Sequence, residues 1–199
     1  MKNRGLYVRR QFKEALSRIN ERRNKIQVIV GPRQVGKSTL MDQVLEKVTI
    51  PYTLSKADGV DPKDFDWIHR TWESARSLMR INNEEEHLLV IDEIQKIEGW
   101  SEGVKAVWDW DTHNKVNIKL VLLGSSRLML QSGLKESLAG RFELIRMGHW
   151  SYSEMSEAFG FTLDEYIYFG GYPGSASLVT NERRWKIYIK DRIASPAIE

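Results

Sequence analysis

One eight-residue segment constrains the fold of this chain more than any other: Gly31-Pro32-Arg33-Gln34-Val35-Gly36-Lys37-Ser38. The apolar, largely β-branched residues 26–30 precede it and predict a buried strand, whereas Leu40, Met41 and Val44 mark a helix after it. A glycine-bounded loop between a strand and a helix turns its backbone amides, together with the helix N-terminus, towards one point. The segment therefore predicts an anion-binding loop within an α/β fold.

The chain continues to alternate short apolar runs with helical patterns up to about residue 149. This alternation predicts a parallel sheet covered on both faces. The expected strands are 26–30, 52–55, 88–91, 118–123 and 142–145, and the expected helices lie at 7–20, from Asp61-Pro62 onward, at 100–110 and near 128–138. From residue 150 onward only short helical patterns remain. We expect an α/β domain at 1–149, with its N-terminal helix at 7–20, and a small helical lid or linker at 150–199.

Composition narrows the class of protein without identifying a partner. A length of 199 residues suits one α/β domain with a small appendage. The chain contains no cysteine, which excludes disulfides and Cys-ligated zinc. No apolar stretch reaches the length of a signal peptide or a membrane span, so we expect a cytoplasmic protein with no membrane span.

The pattern G-x-x-x-x-G-K-S is that of a P-loop, or Walker A motif, whose chemistry is phosphate binding. Lys37 is expected to reach the β- and γ-phosphates, and the Ser38 hydroxyl is expected to bind Mg²⁺. The alternative is an ordinary strand–helix turn. The expected nucleotide-binding residues are Gly31, Pro32, Arg33, Gln34, Val35, Gly36, Lys37, Ser38 and Thr39.

Two adjacent carboxylates, Asp92 and Glu93, follow the apolar residues 88–91. Asp92 is expected to hold the magnesium through its water shell, and Glu93 to activate the attacking water. Solvated turn carboxylates are the alternative. A catalytic glutamate favours water over a metabolite hydroxyl as acceptor, and therefore an ATPase over a small-molecule kinase.

The base is expected to be adenine. A GTPase needs N-K-x-D to recognise guanine, and the nearest stretch, Asn114-Lys115-Val116-Asn117, lacks the aspartate. ATP and Mg²⁺ are therefore the expected cofactors.

Two further residues are candidates for contact with the γ-phosphate. Ser125 ends the apolar run 118–123 with Gly124 and is interpreted as a polar sensor, with Ser126 and Arg127 as neighbours, or alternatively as a helix N-cap. Arg141 lies between a predicted helix and the last strand, where many oligomeric ATPases present a charge to the neighbouring subunit's γ-phosphate. Arg141 acting within its own chain, or as an ordinary helix-terminal charge, stays open.

Five segments together resemble the AAA+-like ATPases of bacteria and archaea that carry a C-terminal domain of unknown function, and more broadly the archaeal-ATPase and STAND groups: GPRQVGKSTL, LLVIDEIQKIEGW, LGSS, ESLAGR and FGGYPG. The resemblance implies a three-layer P-loop NTPase fold of the ASCE type. Its five-stranded parallel sheet has the order 5-1-4-3-2, which places strand 118–123 between strands 26–30 and 88–91, and a small C-terminal helical subdomain follows.

The resemblance also implies a site for the base. Gly171-Tyr172-Pro173 resembles the G-x-P motif of STAND proteins, in which the proline lies against adenine; punctuation between helices is the alternative reading of Pro173. Arg9 and Arg10 are implied to border the base. Such proteins usually continue into a further domain, so the chain is interpreted as truncated. They can also carry a sensor arginine in the small helical part, for which Arg183 and Arg184 are candidates only because they lie in that region.

The expected function is Mg²⁺-dependent ATP hydrolysis that drives or switches a conformational change. A slow ATP/ADP-dependent switch and a nucleic-acid-stimulated ATPase are the alternatives, the latter because of the basic clusters near 22–25 and 183–186. The expected partners are ATP or ADP, further copies of the chain in a homo-oligomer, and an unidentified protein. Nucleic acid has no motif in its favour.

Overall fold

A five-stranded parallel sheet forms the centre of the protein. The structure, a computed structural model, describes residues 7–125 and 137–191. The strands are β1 Ile26–Gly31, β2 Tyr52–Lys56, β3 His87–Asp92, β4 Ile118–Ser125 and β5 Phe142–Arg146. They are ordered β2-β3-β4-β1-β5, and all neighbours are parallel. The predicted order 5-1-4-3-2 is the same arrangement seen from the other edge, so it is confirmed.

Helices cover both faces of this sheet. The first four are α1 Gln11–Asn20, α2 Lys37–Leu45, α3 Trp67–Asn82 and α4 Trp100–His113. Because successive strand residues point to opposite faces, Val28 of β1 packs in a core with α3 and α4, whereas Ile29 packs in a second core with α1 and α2. The result is the predicted three-layer α/β arrangement.

Short helices follow the sheet: α5 Tyr152–Phe159, α6 Leu163–Phe169, a 3-10 segment Pro173–Leu178 and α7 Glu182–Ile189. Capping boxes begin α5 at Ser151 and α6 at Thr162, each with a glutamate three residues later. A third apolar cluster joins Trp150, Met155, Phe161 and Ala176. None of the helices in the described ranges is both long enough and apolar enough to cross a membrane.

Two predicted helix starts differ from the structure. α1 begins at Gln11 rather than Tyr7, and Arg9, just before it, directs its side chain to the Val35 and Gly148 carbonyls. α3 begins at Trp67, since the Asp61 carboxylate accepts the Lys63 amide at 2.9 Å and so closes a turn. Most of the predicted helix 128–138 lies outside the described residues, and so do Ser126 and Arg127. Its last two positions, 137 and 138, belong to a turn over residues 137–140.

Candidate functional site

The carboxyl ends of three neighbouring strands form the candidate site. Gly31 ends β1 opposite Ser125, the last residue of β4, and Asp92 ends β3 opposite Leu123. In parallel α/β sheets ligands bind at this edge. The loop that leaves β1 and enters α2 at Lys37 lies here, so the fold brings the phosphate-loop candidates together with Asp92, Glu93 and Ser125.

The backbone of the loop depends on two glycines for different reasons. A Cβ at Gly31 would lie 2.1 Å from the Met147 carbonyl oxygen, because the chain after β5 approaches β1 closely and the Met147 amide donates to the Val30 carbonyl at 2.8 Å. Gly36 instead has φ +91°, a left-handed conformation that favours glycine. Gln34 also adopts a positive φ of 63°. Position 31 therefore has no room for a side chain, whereas at position 36 a side chain would have room but would strain the backbone.

Lys37 places its ammonium group inside the loop. Its Nζ donates to the Gly31 carbonyl at 3.1 Å and to the Pro32 carbonyl at 2.8 Å. Burial lowers the pKa of Lys37, while the nearby carboxylates of Glu93 and Asp92 act in the opposite direction. The loop thus holds a buried cation at its centre, in reach of the acidic residues.

Ser38 and Asp92 form a pair that suits a magnesium ion. Ser38 Oγ donates to Asp92 Oδ2 at 2.9 Å. Asp92 is buried, and its Oδ1 has no hydrogen-bond partner among the described residues. An unpaired buried carboxylate oxygen is costly, and hydroxyl and carboxylate oxygens are the ligands that Mg²⁺ prefers, with water and phosphate completing its shell. The described residues hold no cluster of three or more His, Cys, Asp or Glu that suits a metal.

Glu93 follows Asp92 in a strained backbone conformation. Its φ of 57° is left-handed, which costs a non-glycine residue about 1–3 kcal/mol and is concentrated at functional sites. The Gln95 side-chain amide donates to the Glu93 carboxylate at 2.5 Å. Gln95 was missed by sequence reasoning, although it lies in the segment that follows the acidic pair. The geometry holds a half-buried carboxylate in place beside Asp92.

A cavity of about 1070 Å³ adjoins the loop. On the loop side it is lined by Gln34, Gly36 and Thr39, and Pro173 lies in its wall. We use the name base wall for five lining side chains that come from three distant segments: Tyr7, Trp150, Glu157, Phe159 and Pro173. Sequence reasoning had identified Pro173 alone of these.

Arg9 ties the base wall to the phosphate loop. Its guanidinium donates to Glu154 Oε1 at 2.8 Å and to the Val35 carbonyl at 2.9 Å, and it lies 4.9 Å from the Trp150 ring centroid. The Trp150 indole N–H donates to the same Val35 carbonyl at 3.0 Å. Burial acts to raise the pKa of Glu154, but the Ser151 amide and Arg9 outweigh it, and the pKa is lowered. Arg10 is exposed and lines a different depression.

Helix α7 also touches the loop. The Tyr188 hydroxyl donates to Gln34 Oε1 at 2.7 Å. Gly174 permits this approach, because a Cβ there would lie 2.5 Å from the Tyr188 hydroxyl. A contact across 154 residues between two common side chains leaves no pattern in the sequence, so sequence reasoning missed it.

Arg141 lies at the end of the sheet where β1 begins, opposite the end that carries the phosphate loop. Its carbonyl accepts from the amide of Ile26, the first residue of β1, and its guanidinium binds Asp109 with two hydrogen bonds of 2.7 and 2.8 Å. β1 contains six residues, so about 17 Å separates its two ends. The structure therefore does not bring Arg141 to the phosphate loop of its own chain.

The predicted basic clusters are partly engaged within the fold. Arg23 stacks on Trp108 at 3.6 Å and donates to the Ile118 carbonyl at 2.8 Å. Lys25 donates to the Gly140 carbonyl, and Lys186 pairs with Glu182. These cations contribute to local structure, whereas Arg183 and Arg184 are exposed.

Comparison with known families matches residues 23–156 to a family model described as an AAA domain. The matched range covers about two thirds of the chain and contains the loop, the acidic pair and all five strands. A comparison with curated proteins found no match.

Proposed function

This chain belongs to the AAA domain family of P-loop ATPases, and on that premise we propose that it binds ATP with Mg²⁺ and hydrolyses it. The observation that carries the proposal is the Ser38–Asp92 pair at 2.9 Å, with Asp92 Oδ1 buried and unpartnered among the described residues. This pair lies next to a lysine already buried in the loop. The Lys37 ammonium group suits the phosphates of a nucleotide, and the adjacent hydroxyl and carboxylate oxygens suit its metal ion.

Each residue of the site has a distinct proposed role. Lys37 exchanges its bonds to the loop carbonyls for the β- and γ-phosphate oxygens. Ser38 and Asp92 would hold Mg²⁺, which would neutralise charge on the phosphates. Ser125, buried at the end of β4 beside Gly31, is a candidate contact for the γ-phosphate.

Glu93 is proposed as the general base. Its carboxylate accepts a proton from the attacking water as the water oxygen bonds to the γ-phosphorus and the bond to the β-phosphate oxygen breaks. Lys37 and the loop amides stabilise the charge that develops on the leaving ADP. The contact from Gln95 orients the carboxylate.

The cavity beside the loop is the proposed place for the nucleoside. Its volume of about 1070 Å³ is sufficient for a small-molecule ligand, and Trp150, Phe159 and Pro173 offer apolar surfaces to a base. We propose that the helical part from residue 150 onward acts as a lid over this cavity. Arg9 and Tyr188 join that part to the loop, which supports a nucleotide-dependent conformational change, whether as a motor or as a slow switch.

Arg141 is proposed to act only on the site of a neighbouring copy of the chain. Its position at the opposite end of the sheet and its partial exposure support this role. Asp109 would have to release it.

Replacement of the base tests hydrolysis directly. We expect Glu93→Gln to bind ATP with wild-type affinity but to lose about a hundredfold or more in turnover, because general-base catalysis contributes about 10²–10⁴-fold. Calorimetry gives the affinity, and phosphate release gives the rate. Glu98→Gln, at an exposed position close in sequence, is the matched control. Turnover at the wild-type rate in Glu93→Gln would show that the base is assigned wrongly.

A further inference from the structure

The chain turns sharply after β3, and this turn places Gln95 against Glu93. Glu93 has a left-handed backbone with φ 57° and directly precedes a 3-10 turn, Ile94–Lys96. Ile94 and Ile97 are both buried in the core that packs against α3 and α4. The backbone that carries Gln95 is therefore anchored on both sides, and its side chain reaches back to the Glu93 carboxylate.

The side-chain amide of Gln95 depends on Glu93 for its orientation. Its Nε2 donates to Glu93 Oε2 at 2.5 Å, whereas its Oε1 is buried and has no hydrogen-bond partner among the described residues. An unpaired buried oxygen is unfavourable, but a hydrogen bond to an ionised acceptor is stronger than one between neutral groups. The contact that holds this amide in place is therefore the one with the proposed base.

Lys37 is the group that competes with Gln95 for the carboxylate. Burial lowers the pKa of Lys37, and of the two carboxylates that oppose this effect Glu93 acts more strongly than Asp92. Opposite charges attract each other more strongly in a partly buried site than in water. Among the described residues, however, Lys37 forms no ion pair with Glu93, and its ammonium group donates to two loop carbonyls instead.

An ion pair between these two side chains would impair both of their proposed roles. An ammonium group has three donors, and a donor that binds a carboxylate is not available to a phosphate oxygen. A carboxylate that already binds a cation also accepts a proton from water less readily. The site therefore needs the two charges close to each other but unpaired.

We propose that Gln95 is a positioning residue that keeps Glu93 out of an ion pair with Lys37. The inference rests on the proposed function, because it assumes that Lys37 binds phosphates and that Glu93 activates water. The amide gives the carboxylate a neutral donor, and the anchored turn keeps this donor on the side of Glu93 that carries Oε2. Without the amide, the carboxylate turns towards the ammonium group.

The test measures nucleotide binding in three variants: Gln95→Met, Glu93→Gln and the two combined. Calorimetry on the 199-residue chain uses a non-hydrolysable ATP analogue with Mg²⁺. We expect Gln95→Met to bind the analogue about tenfold more weakly, or by about 1.4 kcal/mol, because the phosphates must first break the new Lys37–Glu93 pair. The combined variant should bind as Glu93→Gln does, because a neutral side chain at position 93 has no charge to attract Lys37.

A control variant separates this effect from a general disturbance near the turn. Glu98→Met introduces the same side chain at an exposed position three residues later, and it should bind the analogue as the wild type does. Turnover of ATP, followed by phosphate release, should fall in Gln95→Met together with affinity.

The outcomes distinguish this inference from the proposed function. Wild-type affinity in Gln95→Met, whatever its turnover, overturns the separating role of Gln95 and leaves the ATPase proposal standing. An equal loss of affinity with Glu and with Gln at position 93 also overturns it, because the loss then comes from damage to the turn. A wild-type chain that does not bind the analogue overturns the proposed function itself.

Discussion

The phosphate loop and the base wall adjoin one cavity but are built in opposite ways. The loop is a continuous run of the chain, Gly31 to Ser38, completed by residues that end neighbouring strands. The base wall is assembled from residues as far apart as Tyr7 and Pro173. A phosphate-binding loop can thus be specified by a local motif and strand order, whereas the proposed nucleoside surface depends on long-range side-chain contacts.

The two regions meet at one peptide group. The Val35 carbonyl accepts hydrogen bonds from Arg9 at 2.9 Å and from Trp150 at 3.0 Å. Val35 belongs to the loop, and its side chain is fully buried. We therefore expect a movement of the base wall to shift the backbone of the phosphate loop, and a movement of the loop to shift the helices that follow residue 150.

The largest expected effect comes from breaking this connection at Arg9. Arg9→Met leaves the carboxylate of Glu154 without its ion-pair partner, and this carboxylate is buried. Loss of one partner of a buried pair costs about 3–5 kcal/mol. We expect urea denaturation to show a fall of that size in the free energy of unfolding, or an earlier separate transition of the helical part.

Arg10→Met is the matched control, because Arg10 is adjacent in sequence but exposed. Its effect should stay within about 0.5 kcal/mol. If both variants unfold at the wild-type midpoint, the base wall is held in place without Arg9, and the two regions are less dependent on each other than their contacts indicate.

The same contrast explains what the sequence could predict. The pattern around Lys37, the carboxylates after residues 88–91 and the family resemblance gave the strand order and the composition of the phosphate end. Arg9–Glu154 and Tyr188–Gln34 join residues 145 and 154 positions apart, and such pairs leave no periodicity or motif. Arg141 is a different case: its position before β5 followed from the sequence, but its pairing with Asp109 depends on the packing of α4.

Lys37→Ala should have the next largest effect, and it acts on the phosphate end alone. Removing an ammonium group that binds phosphates should cost about 3 kcal/mol, or more than a hundredfold in affinity. The loss should be equal for ATP and for tripolyphosphate, which has no base, when both are measured by competition with a fluorescent nucleotide. Lys47→Ala, exposed beyond the end of α2, should bind both as the wild type does. A loss confined to ATP would place Lys37 at the nucleoside instead.

The smallest expected effect tests whether α7 responds to the state of the loop. Tyr188→Phe removes the hydroxyl that donates to Gln34, and a neutral hydrogen bond contributes about 0.5–1.5 kcal/mol. We expect ADP to dissociate about fivefold faster in stopped-flow measurements, and the free energy of unfolding to fall by no more than this contribution, because the contact holds the helical part against a loop residue in a left-handed conformation. Tyr168→Phe is the control, since that hydroxyl donates to Glu182 away from the loop. Equal ADP release from both variants would mean that the helical part does not respond to the nucleotide through this contact. That result would argue against the switch, but it would not affect the proposal of ATP hydrolysis.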